Sequence, residues 1–138
     1  MKPLRLLIVD DDPLDVEMFK YCCDQTTQKI DCVLMEDGVH AMEYLRNEGV
    51  HQAAVRPDII LLDLNMPLKD GRETLSEIRG DGNLKSIPVI ILTSSNLKSD
   101  IKNCRASGAD AYLTKPVGIK GYAKVVEAVQ TFCEKNQT

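Results

Sequence analysis

The feature that most constrains this chain is a series of short, almost unbroken apolar runs, each stopped by an acid, a hydroxyl or a lysine. LRLLIV (4–9) runs into Asp10-Asp11-Asp12, and DIILLD (58–63) closes on Asp63. PVIILT (88–93) leads to Ser94-Ser95, and the short AYLT (111–114) leads to Lys115-Pro116. Runs of this length without polar alternation suit strands covered on both faces, as parallel sheets require. A weaker run, CVLM (32–35), followed by the turn Glu36-Asp37-Gly38, gives one more strand.

Helical spacing separates the runs. Asp12 reads as the N-cap and Pro13 as the first residue of a helix with Val16, Phe19 and Cys23 on its inner stripe. The adjacent Cys22 is expected nearly sideways to that stripe. A second helix carries Val39, Met42, Tyr44 and Leu45 inward and ends near 47–49, before a polar surface loop over 48–56. The spacing predicts further helices over 71–79 (Leu75 and Ile78 inward), 98–107 (closed by Gly108) and 121–134 (Val125, Val126, Val129 and Phe132 inward). Strands alternating with helices, joined by right-handed crossovers, give a single doubly wound α/β domain over 1–138: a five-stranded parallel sheet with helices on both faces. Pro88 is tolerated as a first strand residue.

Composition excludes several function classes. The 138 residues and 15.4 kDa suit one domain. With 43% hydrophobic and 28% charged residues the chain is not intrinsically disordered. A net charge of −4 has the wrong sign for binding nucleic acid by phosphate neutralisation. No apolar run is long enough to span a membrane, and Leu6 to Val9 is too short for a signal-peptide core, so the expected location is cytoplasmic. The five cysteines (Cys22, Cys23, Cys32, Cys104, Cys133) have no metal-type spacing and read as reduced, buried or half-buried thiols. His40 and His51 read as surface or half-buried histidines.

In a doubly wound sheet, ligands sit beyond the carboxyl ends of the strands. Asp10, Asp11, Asp63, Thr93 and Lys115 all fall there. Converging carboxylates repel one another unless a cation intervenes, and all-oxygen donors suit Mg²⁺. A cation, an ammonium and a hydroxyl together suit a phosphoryl guest.

The pieces LLIVDDD (6–12), DIILLDLNMPLKDG (58–71), VIILTSS (89–95) and GADAYLTKP (108–116) resemble, in order and spacing, the receiver domain of two-component response regulators, over nearly the whole chain. The longer loop before Pro57, with RPDIILLDLNMPLKDGRE and SIPVIILTSS, is most similar to stand-alone regulators of the kind encoded beside bacterial phytochrome histidine kinases. The resemblance implies a flavodoxin-like fold and a phosphorylation-activated switch. Asp63 would be the phosphoacceptor, taking the group from a sensor histidine kinase by nucleophilic attack. Asp11, assisted by Asp10, would hold Mg²⁺ together with Asp63 and the backbone carbonyl of Asn65.

Lys115, the Thr93 hydroxyl, the Ser94 amide and Asn65 would bind the phosphoryl oxygens. Tyr112 matches the switch position, and Lys115-Pro116 matches a site that is cis in many relatives, which would aim the lysine. Asn65 and Ser95 would line the mouth and tune dephosphorylation. An aspartyl-nucleophile phosphatase of the haloacid-dehalogenase type would need a second Asp where Asn65 stands. A module that has lost the chemistry should lack one of Asp11, Asp63, Thr93 or Lys115, and all are present. The receiver pattern leaves no expected output domain. The chain is therefore expected to be a phosphoacceptor rather than a turnover enzyme, acting through an unidentified downstream protein. A homodimer through 97–135 is expected because the last helix, with Gly121, Tyr122, Val125, Val129 and Phe132, offers more apolar surface than one sheet face covers.

Overall fold

The computed structural model describes residues 2–136. Strands β1 (Leu4–Val9), β2 (Ile30–Met35), β3 (Ile59–Leu62), β4 (Val89–Thr93) and β5 (Ala111–Thr114) alternate with helices α1 (Pro13–Asp24), α2 (Gly38–Leu45), α3 (Gly71–Gly80), α4 (Lys98–Ala106) and α5 (Ile119–Lys135). All pairings are parallel, in the order β2-β1-β3-β4-β5. This strand order is that of a flavodoxin-like fold, and the doubly wound expectation is met.

The two-sided burial that made the runs legible is visible residue by residue. Leu6 and Ile8, Ile59 and Leu61, and Ile90 and Leu92 face one core with Phe19, Val126 and Val129. Their alternates Leu7 and Val9, Ile60 and Leu62, and Val89 and Ile91 face a second core with Ala41, Leu75 and Ile78. Each such side chain, fully buried, contributes roughly 1.5–3 kcal/mol, so the middle strands are the most firmly held part of the sheet. Their carboxyl ends carry Asp10, Asp63 and Thr93.

Local capping follows the sequence where side chains dictate it. Asp12 caps α1, its carboxylate accepting from the amides of Leu14 and Asp15. Asp37 and Asp70 cap α2 and α3 in the same way. Gly108, at φ 103°, follows α4 in a left-handed conformation suited to glycine.

Several expectations are corrected. β2 begins at Ile30, because the polar Asp31 sits on an exposed edge strand where no second neighbour demands an apolar residue. α5 begins at Ile119; Gly121 lies inside it, where a Cβ would come within 2.2 Å of the Pro116 ring. The 48–56 segment contains a 3₁₀ turn at Gly49–His51. In α2, Ala41 is buried while Val39 is exposed and Tyr44 only half-buried.

Cys22 and Cys23 are both buried, because α1 packs against both the sheet and the neighbouring α5 and so buries a wider stripe than a helix covering a sheet alone. For the same reason Tyr122, Val125 and Val129 are consumed by the chain's own core and leave no surplus apolar face. The exposed apolar residues of 97–135 are instead Leu97, Val117 and Ile119. Among the described residues no helix is long and apolar enough to cross a membrane.

Candidate functional site

The carboxyl ends of β1, β3 and β5 meet at one edge. Oxygens of Asp10, Asp11 and Asp63 lie within 4.8 Å of one another, the one such acidic cluster among the described residues. Asp10 and Asp63 are buried and Asp11 is exposed, so the cluster opens to solvent on one side. The Asp10 carboxylate accepts from the Asp12 amide at 2.9 Å, and the Asp63 carboxylate from the Asn65 amide at 3.4 Å. The two tight turns following β1 and β3 thus fix their own acids.

Lys115 reaches across from the end of β5. Its Nζ lies 3.0 Å from Asp10, 3.0 Å from Asp15 and 3.1 Å from Asp63. Burial opposes charge on this lysine, yet its hydrogen bonds to Asp10 and Asp15 hold its pKa above the ordinary range. Burial pushes Asp10 up to about 6, against the opposing pull of the Asp12 amide and Lys115. Asp15 is also resisted by burial, but its hydrogen bond to Lys115 brings it below the usual carboxylate value. Three hard oxygen donors in one cluster, only partly neutralised by a single ammonium, fit a hard divalent cation.

Lys115 is held by its backbone amide on the Thr93 carbonyl at 2.8 Å and by the three acids. The Lys115-Pro116 bond is trans, as are all peptide bonds among the described residues, contrary to the expectation of a cis bond.

Thr93 is fully buried at the end of β4, its hydroxyl accepting from the Ser95 amide at 3.5 Å. Ser95 is tied further: its hydroxyl donates to Asp100 at 2.6 Å, Asp100 accepts from Arg72 at 2.9 Å, and its carbonyl accepts from the Tyr112 hydroxyl at 2.8 Å. Tyr112, half-buried, is therefore linked to the loop after β4 rather than free. Ser94 and Asn65 are exposed at the rim.

The structure thus brings Asp10, Asp11, Asp63 and Lys115 together, sets Thr93 at the neighbouring strand end, and leaves Ser94 and Asn65 outermost. Sequence reasoning missed two groups, Asp15 and the Asp100–Arg72 pair behind Ser95. Asp15 stands in the first turn of α1, where an acid is expected for capping and dipole reasons alone.

The fold and this edge define a signalling receiver, and the chain belongs to the response regulator receiver domain family, whose model matches residues 6–129. It is a receiver-domain response regulator of two-component signalling, a family that binds a divalent metal. Response regulator Rcp1 of Synechocystis sp. is 35% identical over 130 residues, covering 94% of this chain and 88% of that protein.

Two solved structures each cover 99% of this chain and 98% of their own. The Mn²⁺-bound form of Rcp1 matches with a TM-score of 0.89 at 34% identity. The phosphorylated cyanobacterial phytochrome response regulator RcpA matches with a TM-score of 0.92 at 36% identity. RPA3017, a response regulator in red light signalling of R. palustris, matches at 28% identity and a TM-score of 0.85, covering 95% of this chain and 93% of that one. The similar structures thus include phytochrome-associated regulators.

Proposed function

We propose that this protein is a cytoplasmic phosphorylation switch that receives a phosphoryl group on Asp63 from a sensor histidine kinase, a bacterial phytochrome by analogy with its relatives. The observation that carries the reading is the clustering of the Asp10, Asp11 and Asp63 oxygens, with the Lys115 ammonium set against Asp10 and Asp63. Mg²⁺, held by Asp10, Asp11, Asp63 and the Asn65 carbonyl, would supply charge neutralisation at the phosphoryl oxygens.

An Asp63 carboxylate oxygen attacks the phosphorus of the kinase phosphohistidine. The P–N bond breaks, and its electron pair returns to the imidazole nitrogen. Lys115 remains protonated throughout and turns an N–H toward a phosphoryl oxygen, an interaction already prepared by its position against Asp63. The Thr93 hydroxyl and the Ser94 amide donate to the other oxygens.

The signal leaves through the loop after β4. When Thr93 turns toward the phosphoryl group, Ser95 shifts with it. The Tyr112 hydroxyl then loses its acceptor, and the ring is released to repack. The responding surface is 97–135, which engages a downstream protein by direct contact, and a second copy of the chain through exposed Leu97, Val117 and Ile119. Sedimentation with and without a phosphoryl mimic tests the dimer: monomer in both states removes it.

Phos-tag electrophoresis after acetyl phosphate and Mg²⁺ treatment tests the central claim. Wild type should shift and Asp63→Ala should not. An unshifted wild type, or an equal shift in the variant, overturns it.

A further inference from the structure

The receiver chemistry uses none of the cysteines, and two of them are placed together. Cys23, in the last turn of α1, and Cys32, in β2, hold their sulfurs 3.9 Å apart, one thiol donating to the other. Its sequence neighbour Cys22 is turned elsewhere, its thiol donating to the Ile119 carbonyl at 3.4 Å. Cys104 and Cys133 are buried separately in the two cores.

A disulfide requires the sulfurs to close by about 1.9 Å, to a bond of about 2.05 Å. Small rotations at the two Cα–Cβ bonds supply this where the backbone can yield. The last turn of a helix and an edge strand are the elements best able to do so. We propose that Cys23 and Cys32 form a reversible dithiol–disulfide site, oxidised by hydroperoxides, that fastens the end of α1 to the edge strand.

The two thiols divide the work. Cys32 is half-buried on the sheet edge, so a small oxidant reaches it, whereas Cys23 is buried behind it. The Cys23 S–H stabilises a Cys32 thiolate and holds its pKa below the ordinary thiol value. The Cys32 thiolate attacks the terminal hydroperoxide oxygen and the O–O bond breaks; the departing alkoxide (hydroxide, when the oxidant is hydrogen peroxide) takes up a proton to become the hydroxyl compound, leaving a sulfenic acid. The Cys23 sulfur then attacks the sulfenic sulfur and the S–O bond breaks. The departing hydroxide leaves as water with the Cys23 proton. In sum, two thiols and one hydroperoxide give a disulfide, water and the reduced hydroxyl compound, two electrons passing from sulfur to oxygen. Intracellular disulfides of this kind are commonly transient and redox-sensing.

The test treats the full reduced chain with a small excess of hydrogen peroxide, then blocks free thiols and measures intact mass and peptides. The expected result is a loss of two hydrogens, reversed by dithiothreitol. One cross-linked peptide pair should appear, whose fragment ions place the bond between Cys23 and Cys32. The link should persist in Cys22→Ser and vanish in Cys32→Ser. A bond through Cys22, or no intramolecular bond in native wild type, overturns the proposal. Fragment mapping of the wild type decides this even if a variant fails to fold.

Discussion

Lys115 and Asp15, one hundred residues apart in the chain, are held 3.0 Å from each other at the mouth of the site. Asp15 is the one carboxylate on this lysine that lies outside the Asp10–Asp11–Asp63 oxygen cluster. When a cation and a phosphoryl group engage Asp10 and Asp63, Asp15 is the partner left to orient the flexible lysine stem. A charge-assisted hydrogen bond is worth about 1.5–3 kcal/mol, and the partial exposure of Asp15 places its effect at the low end. Asp15→Asn should therefore slow phosphorylation by acetyl phosphate about tenfold, the equivalent of about 1.4 kcal/mol. Timed Phos-tag gels measure the rate, and Asp15→Glu should recover part of it.

Gly71 reports on the backbone that carries Asp63. A Cβ at this position would stand 2.1 Å from the Asp63 carbonyl oxygen and 2.8 Å from the Leu64 Cα, both unyielding backbone atoms. The Gly71 amide also closes the loop onto the Leu64 carbonyl at 2.9 Å. Gly71→Ala must therefore displace the strand end itself. The expected outcome is a stability loss of about 1–3 kcal/mol in urea unfolding, together with reduced phosphorylation. Gly82→Ala, where nothing lies within 4 Å of the added methyl, should leave phosphorylation unchanged.

The strand ends were legible because two-sided burial writes itself as continuous apolar runs, so the first polar residue marks where each strand leaves the core. Asp10, Asp63 and Thr93 are found by that rule alone, and Lys115 stands one residue past Thr114, the last residue of β5. Asp15 was hidden by a second rule: acids in a first helical turn are common for reasons unrelated to any ligand. Only the packing of α1 beside the end of β5 reveals its partner.

Tyr122 was misread in the opposite sense. Its helical spacing looked like surplus surface, whereas it is wholly buried and its hydroxyl has no hydrogen-bond partner among the described residues. Burial, and after it the nearby Asp15 carboxylate, raise its pKa. Periodicity identifies an apolar face but not whether one neighbour or two will cover it.

Arg79 holds the far ends of the strands in the way that Lys115 holds the near ends. Its guanidinium donates to the carbonyls of Gly108 at 2.9 Å, Ile87 at 2.8 Å and Lys85 at 3.1 Å, and to Asp110 at 2.8 Å. Asp110 in turn accepts from the Val89 amide. Removing the fork leaves several carbonyls and a carboxylate without their donor. Arg79→Ala should cost about 2–4 kcal/mol in urea unfolding. Arg79→Lys should recover little, because a single ammonium cannot reproduce the planar fork.

His40 and Asp37 supply a pH-dependent element away from the phosphorylation site. The His40 ring nitrogen lies 2.6 Å from the Asp37 carboxylate, whose other oxygen caps α2 through the His40 amide. The hydrogen bond to Asp37, followed by its charge, raises His40 above its ordinary value of 6.5. Burial acts to raise Asp37, but the amide and ring of His40 outweigh it and hold it below 3.8.

For the histidine, the pair's contribution is fully present below 6.5 and disappears as pH rises through the raised native value. For the aspartate it is present above 3.8 and disappears as pH falls through the lowered one. Asp37→Asn keeps a good N-cap while removing the charge. NMR titration of the His40 ring should therefore give a midpoint above 6.5 in wild type that moves back toward 6.5 in the variant. The stability difference between the two proteins should be greatest between pH 3.8 and 6.5 and should narrow on either side. An unchanged His40 midpoint in Asp37→Asn would remove the pair as the source of the shift.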